Sequence, residues 1–225
     1  MEKPFFEFIS KEASTTDVFG LTEVTKELYK KLCLTLNDFS GYFALDPTLE
    51  NSQSSQAIFV NKKVSVKKYQ KELLYGPLES EGGTEVPAFV QAIETNNITF
   101  VNLQGMAYPG SKLDTEERLK QTDKVLGFAK KFSGPKIIGG DFNLLPQAES
   151  IINFEKAGYR NLIKEFNITN TRNKWADHTK KDKQYFGKQY FADYVFVSPE
   201  VKVKSFEVPN VEVSDHLPQI LEFEI

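Results

Sequence analysis

The residues of this sequence that could do chemistry are acids and amides at the ends of short apolar segments. Glu23 closes one segment, Asp141 and Asn143 follow a second, and Asp193 begins a third. A carboxylate is costly to bury unpaired, so each acid needs a cation, a donor or water. Mg2+ is one such partner, because it takes one or two carboxylates together with water and phosphate oxygens. For any one of these acids alone, an ordinary polar strand end is the simpler interpretation.

The chain has only two histidines, and they lie in different contexts. His216 follows Asp215 directly, in a loop ahead of the last apolar segment, and we expect it to be functional. His178 lies in a polar stretch and is predicted to be a solvated loop residue. Asn143, three residues before Pro146, is on its own an ordinary turn residue.

Three motifs in this order resemble signatures of the endonuclease/exonuclease/phosphatase superfamily. They are the apolar run ending in GDFN and continuing to Pro146 (137–146), the FADYVFVS segment (191–198) and the SDHLP segment (214–218). The segment 17–24, which contains Glu23, resembles a fourth signature. The resemblance extends from about Phe5 to the end of the chain, and GDFN followed by a late SDH is specific as a combination.

The resemblance implies a catalytic group of four residues. Asp141 would orient and deprotonate the attacking water, and Asn143 would donate from its amide. His216 would hydrogen-bond the phosphoryl oxygen as negative charge develops, while Asp193 fixes its tautomer. These roles depend on Asp193 and His216 being neighbours in the fold. The glycines at 139 and 140 would let the chain turn tightly.

The resemblance also implies metal and substrate contacts. Glu23 would ligate a divalent cation, Mg2+ or Mn2+, and Asp215 would approach it directly or through water. We expect Gln104 and Arg172 to contact the substrate. Many hydrolytic relatives have a histidine where this chain has Gln104, and a neutral amide cannot become a cation near pH 7. Weaker transition-state stabilisation is therefore expected.

The periodicity of apolar residues predicts helices and strands that mix in an α+β order. Helices are predicted at 4–12, 25–36, 114–132 and 148–156, with Asp114 as an N-cap. Strands are predicted at 17–24, 42–45, 57–60, 64–74, 86–93, 98–103, 136–141, 190–197, 201–208 and 219–225. This order indicates two mostly antiparallel sheets packed together with helices outside, a four-layer α/β/β/α sandwich. The resemblance also implies a first strand that carries an Asn near the metal; since the given sequence begins at the opening helix, we expect either that the sequence is a fragment or that another segment takes the place of this strand.

Composition sets limits on the class of protein. The 225 residues are 40% hydrophobic and include 19 Phe and 9 Tyr, which favours one ordered domain over residues 1–225. The formal net charge of −3 means that nucleic-acid binding would need a local basic patch. No apolar run approaches a membrane span or a signal peptide, so a cytoplasmic protein is predicted. Cys33, the single cysteine, is predicted to be a buried thiol on an apolar helix face.

Three functions remain open at this stage. A metal-dependent phosphodiesterase with a nuclease-like substrate is favoured, because two basic stretches suit phosphate tracking and the second has interleaved aromatics. The first stretch holds Lys62, Lys63, Lys67, Lys68 and Lys71; the second holds Arg172, Lys174, Lys180, Lys181, Lys183 and Lys188 with Trp175, Tyr185, Phe186 and Tyr190. A solvated loop explains the second stretch equally well. The alternatives are an inactive phosphate- or nucleic-acid-binding relative, and a lipid phosphoesterase resembling sphingomyelinases or inositol phosphatases.

Overall fold

The computed structural model describes residues 2–45, 54–76, 78–80, 83–85, 87–178 and 189–225. The helices are α1 (Glu2–Glu12), α2 (Lys26–Thr35), α3 (Glu116–Ala129), α4 (Glu149–Lys156) and α5 (Leu162–Glu165), with a 3-10 turn at Lys174–His178. The first eight strands are β1 (Val18–Thr25), β2 (Phe39–Phe43), β3 (Ser54–Asn61), β4 (Val66–Tyr75), β5 (Leu78–Ser80), β6 (Gly83–Glu85), β7 (Ala88–Thr95) and β8 (Thr99–Gln104). The remaining strands are β9 (Lys136–Asp141), β10 (Arg160–Asn161), β11 (Asp193–Val197), β12 (Lys202–Glu207) and β13 (Ile220–Glu224).

Two main sheets form the centre of the described structure. One has three strands in the order β1-β3-β2, and the other has six in the order β10-β11-β9-β8-β7-β4. All of their pairings are antiparallel except that between β8 and β9. Two smaller ribbons, β5 with β6 and β12 with β13, pair outside the main sheets. The predicted α+β sandwich is confirmed, whereas the hairpin of β5 and β6 was not predicted.

The side chains of β3 show how the layers stack. Ala57 and Phe59 face one way and pack with α1 and α2 residues such as Leu32, while Ile58 and Val60 face the other way and meet Ile93 of the six-stranded sheet. This alternation is the two-residue period of a strand that is buried on both faces. Helices α3 and α4 cover the opposite face of the six-stranded sheet.

The crossover from β8 through α3 to β9 sets the register in which the sheet delivers its polar residues. Thr99 pairs with Lys136, and the parallel register continues to Gln104 beside Asp141. Val101 and Leu103 of β8 join the core that α3 covers. Asn102, on the other face, donates from Nδ2 to the Leu21 carbonyl at 2.9 Å and thereby ties the two sheets together.

The helix caps correct one prediction. Thr115 is the N-cap of α3, because its side chain accepts from Arg118 N. Asp114, the predicted cap, instead accepts from the backbone N–H groups of Glu149 and Ser150 at 2.6 and 3.0 Å. It therefore caps α4, whose own N-cap residue is Ala148 and makes no side-chain capping bond.

Cys33 is exposed on α2, so the prediction of a buried thiol is wrong. The buried positions of this region are Leu32 and Leu36, four residues apart. Cys33 follows Leu32 by one residue and so lies about 100° around the helix, away from the buried face.

Parts of two predictions lie outside the described residues. They are the segment 179–188 of the second basic stretch, which holds Lys180, Lys181, Lys183, Lys188, Tyr185 and Phe186, and the first residue of the predicted strand at 86–93. Within the described part of the chain, none of the helices has the length and apolarity that crossing a membrane requires.

Candidate active site

Three polar residues stand side by side at one end of the six-stranded sheet. Asp141, the last residue of β9, is paired with Gln104 of β8 and with Asp193 of β11. Laterally paired residues project from the same face of a sheet, so the three side chains share one surface. Gly140, just before Asp141, has a φ of +139°, and a Cβ added there would lie 2.1 Å from the Leu103 carbonyl oxygen. Only glycine allows β8 to approach β9 this closely.

Asp141 is buried and both of its carboxylate oxygens are hydrogen-bonded by Asn143. The backbone N of Asn143 donates to Oδ1 at 2.8 Å and its side-chain Nδ2 donates to Oδ2 at 2.9 Å. Burial raises the pKa of Asp141 to about 6, against the opposing effects of His216 and Lys112. A carboxylate with that pKa is ionised at pH 7 and can still accept a proton, as a general base requires.

His216 and Asp193 form the pair that the sequence analysis required. Nδ1 of His216 lies 2.8 Å from Oδ2 and 3.0 Å from Oδ1 of Asp193. Burial alone would lower the pKa of His216, but the carboxylates of Asp193, Asp141 and Asp215 outweigh it and raise that pKa to about 10. The imidazole is therefore a cation at neutral pH, and its Nε2 is the ring nitrogen that points away from the Asp193 contact.

Backbone pairing brings His216 to this position. His216 forms an antiparallel bridge with Arg172, and Leu217 N donates to the Thr171 carbonyl at 2.9 Å. The hydroxyl of Thr171 in turn accepts from Asp193 N at 3.2 Å. Thr171 thus links the segment that carries His216 to the strand that carries Asp193. None of the sequence motifs predicted this connection.

Asp215 lies between two cationic groups. Its Oδ2 is 3.6 Å from Nη2 of Arg172 and 3.8 Å from Nε2 of His216. The Arg172 side chain is only 17% exposed, so this guanidinium lines the site rather than extending into solvent. Arg172 and Asp215 are therefore adjacent to the pair of Asp193 and His216.

Glu23 approaches from the three-stranded sheet. It lies in a β-bulge of β1, where the register with β3 shifts between Leu21 and Val24, and its φ is 55°. Its Oε1 accepts from Gln104 Nε2 at 3.1 Å. Gln104 Oε1 accepts from Gln56 Nε2 at 3.2 Å, and Gln56 Oε1 accepts from Phe89 N at 2.9 Å. Gln104 thus holds Glu23, although the sequence analysis expected it to contact substrate.

Lys112 is a member of the site that the sequence analysis missed. It is 7% exposed, and its Nζ lies 2.5 Å from Oδ1 of Asn143 and 2.8 Å from the Ala107 carbonyl oxygen. The residues before it, Pro109-Gly110-Ser111, are typical of a turn and gave no sign of a buried lysine.

Backbone strain concentrates at this site. Among the described residues, four non-glycine residues have a positive φ: Glu23, Lys112, Asn143 and Asn167. The first three are the site residues just described. A non-glycine residue in the left-handed region costs roughly 1–2 kcal/mol, and such residues cluster at functional sites.

The donor set fits a hard divalent cation. Glu23 is exposed and, within the described structure, accepts a single hydrogen bond, so its carboxylate has capacity for an ion. Asp141, Asp193 and His216 also offer one ligand atom each within 4.8 Å of one another. An ion there would have to displace the bonds that Asn143 makes to Asp141 and that His216 makes to Asp193. Glu23 is therefore the residue best placed to hold a metal.

The structure thus arranges the eight predicted site residues in three neighbouring groups. Asn143 is bound to Asp141; His216 joins Asp193 on one side and Asp215 with Arg172 on the other; and Glu23 is bound to Gln104. Asp141 connects the groups because it is the register neighbour of both Gln104 and Asp193. His178 is the last residue of the 3-10 turn at Lys174–His178.

Comparisons with known proteins agree with this fold. The model of the Endonuclease/Exonuclease/phosphatase family matches residues 4–216. The mannosyl-6-phosphatase Bt3783 of Bacteroides thetaiotaomicron VPI-5482 is similar in structure with a TM-score of 0.75 and 18% identity, over 98% of this chain and 91% of that one. Humanized TDP2 of D. rerio has a TM-score of 0.72 and 14% identity, over 99% and 92%. The human Nocturnin catalytic domain has a TM-score of 0.68 and 17% identity, over 98% and 85%.

No curated protein sequence is similar enough to count as a match. At identities below one fifth, the structural likenesses show the shared fold and do not select a substrate.

Proposed function

The chain belongs to the endonuclease/exonuclease/phosphatase family, and from that premise we propose that it is a phosphoesterase that uses Mg2+ or Mn2+ to hydrolyse phosphodiesters. The observation that carries the proposal is the grouping of Asp141, Asp193 and His216, whose ligand atoms all lie within 4.8 Å of one another. The attack of water on a phosphate requires a general base, a positively charged hydrogen-bond donor and a carboxylate that orients this donor. Asp141, His216 and Asp193 can supply these three groups.

The proposed reaction assigns one role to each residue of the group. Asp141 takes the proton of the attacking water as the oxygen approaches phosphorus in line with the leaving group. His216 donates from Nε2 to a phosphoryl oxygen as negative charge develops, and Asp193 holds the ring through Nδ1. Asn143 keeps both oxygens of Asp141 fixed in place.

Glu23 would hold the cation, and Asp215 would approach it directly or through water. A divalent cation bound there supplies Lewis-acid polarisation of a phosphate oxygen. Gln104 orients Glu23 through its amide, and Arg172 offers a positive charge beside Asp215 for a phosphate oxygen of the substrate.

Turnover of simple phosphoesters tests the proposal. We expect the protein to cleave bis(p-nitrophenyl) phosphate with Mg2+ or Mn2+ and to lose this activity in EDTA. Asp141→Asn and His216→Ala should each reduce it to a small fraction of the wild-type rate, whereas Lys130→Met, a change at the exposed C-cap residue of α3, should not. Absence of turnover with every phosphoester, together with retained binding of phosphate or oligonucleotides, would identify an inactive binding relative instead.

A panel of substrates then separates the classes. A nuclease-like enzyme, which we favour, cleaves single-stranded DNA or RNA faster than p-nitrophenyl phosphate. Turnover restricted to choline- or inositol-phosphate head groups would identify a lipid phosphoesterase and contradict the nuclease assignment. Of the second basic stretch, Arg172 and Lys174 are among the described residues, and their exchange to Gln should raise the KM for oligonucleotides.

A further inference from the structure

The loop 106–113 is built around one buried arginine. Arg118 of α3 is 1% exposed and its guanidinium donates to four backbone carbonyls of this loop. Nη1 donates to Leu113 at 2.6 Å, and Nη2 donates to Met106, Ala107 and Pro109 at 3.1, 3.3 and 2.9 Å. These bonds fix the path of the loop from the inside, because a guanidinium presents its donors in one rigid plane.

This path turns Lys112 inward. Its backbone has a φ of 56°, which a lysine adopts at a cost, and its carbonyl accepts from Leu145 N at 2.8 Å. Burial of an ammonium group is also unfavourable unless the group is hydrogen-bonded. Both the backbone conformation of Lys112 and the burial of its ammonium group are therefore unfavourable by themselves, and contacts with the rest of the fold must stabilise them.

The ammonium group determines which way the amide of Asn143 faces. A lysine carries only donors, so the atom of Asn143 that meets Nζ must be the oxygen. The amide nitrogen is then left to donate to the Gly105 carbonyl at 3.1 Å and to Oδ2 of Asp141 at 2.9 Å. A reversed amide would set NH2 against NH3+ and would remove the donor from Asp141.

We propose that Lys112 is a positioning residue of the hydrolytic reaction, which locks the amide of Asn143 so that Asn143 holds the carboxylate of Asp141 in the geometry for water attack. The inference rests on the function proposed above. Lys112 acts through Asn143, in contrast to a lysine that binds the phosphate directly. The two roles differ in what a substitution changes: loss of positioning lowers kcat, whereas loss of a phosphate contact raises KM.

Kinetics of Lys112 variants give the first test, with bis(p-nitrophenyl) phosphate as the substrate. We expect Lys112→Met to lower kcat at least tenfold while KM changes less than twofold, and Lys112→Arg, which keeps the donors, to recover part of the loss. Lys130→Met is the matched control and should leave both constants unchanged. A rise in KM at constant kcat, or no change in kcat, would overturn the proposal.

Side-chain NMR gives a second test that needs no turnover. The Nδ2 protons of Asn143, assigned by their loss in Asn143→Asp, should exchange slowly with solvent in the wild-type protein. They should exchange at least tenfold faster in Lys112→Met, and an unchanged exchange rate would count against the proposal. If circular dichroism shows that Lys112→Met is unfolded, Lys112→Ala replaces it in both tests, since alanine also removes the donor to Asn143. Absence of turnover in the wild type would refute the proposed function and still leave the NMR result to decide the role of Lys112.

Discussion

The site has two halves that are held in different ways. The Asp141 half, formed by Lys112, Asp141, Asn143, Asp193 and His216, is a network in which each side chain contacts another member. The Glu23 half, formed by Glu23, Gln104 and Gln56, is a single line of amides that ends at an exposed carboxylate. The groups that we propose to react are therefore held by several contacts, while the carboxylate proposed to bind the cation has a single hydrogen bond and keeps room to adjust. This contrast predicts that damage to the first half reduces the chemical step and that damage to the second reduces metal binding.

The largest expected effect is the loss of the general base. Asp141→Asn should lower kcat/KM by about 10³, within the range for removal of a general base. Saturating Mg2+ should not restore the activity, because the defect is in the proton acceptor. A metal titration of the activity measures this, with circular dichroism to verify folding, and recovery at high Mg2+ would erase the distinction between the halves.

Loss of the Glu23 charge should act through the cation. Glu23→Gln keeps the side-chain size, and we expect it to raise the Mg2+ concentration for half-maximal activity on the order of 100-fold. Titration calorimetry with Mn2+ should show the same weakening in the absence of substrate. If this variant bound metal normally and lost kcat as Asp141→Asn does, the assignment of metal binding to the Glu23 half would be wrong.

A smaller change is expected one step further from the ion. Gln104→Leu removes the donor to Glu23 and leaves the carboxylate itself, so apparent Mg2+ affinity should fall about tenfold. Titration of activity with Mg2+ gives the value. A large rise in KM for substrate at saturating metal would instead support the direct substrate contact that the sequence predicted for Gln104.

The smallest effect is a pH dependence that belongs to the Asp141 half alone. The pKa of Asp141 is raised to about 6, so the protonated form accumulates as pH falls through that value and the base is lost. Activity should be about half-maximal at pH 6 and fall about tenfold per further pH unit. Loss above pH 10 follows from deprotonation of His216, whose pKa is raised to about 10. Gln104→Leu should leave both limbs of the profile in place, and a shifted acid limb would show that the halves are coupled.

The Asp141 half was largely readable from the sequence. GDFN and SDH are short motifs in which the reacting residues are separated by one or two positions, so local spacing is enough to propose them. The strands that carry them are apolar runs, and those runs predicted β9 and β11 together with the sandwich.

Lys112 and the amides behind Glu23 were not readable, because their roles arise from distant parts of the chain. Gln56 and Gln104 meet across 48 residues, and Lys112 and Asn143 across 31. Asp114 shows the same limit, because its neighbours in sequence favoured a cap on α3 while the tertiary fold placed it on α4. A local sequence pattern cannot show whether a capping residue caps the helix that follows it in sequence or a different helix.

The hydrogen bonds from Arg118 to the backbone of the loop 106–113 also affect which sequence changes this loop can tolerate in evolution. Arg118 bonds main-chain oxygens, and every amino acid supplies the same oxygen, so these four bonds do not depend on which side chains the loop displays. Tyr108 and Leu113 are 37% and 43% exposed on that loop, beside the strained lysine that reaches Asn143. Substitutions at the exposed positions of this loop can therefore change its surface while the bonds from Arg118 to its backbone are kept. Related proteins could acquire new substrate preferences at these positions without changes to the residues of the site.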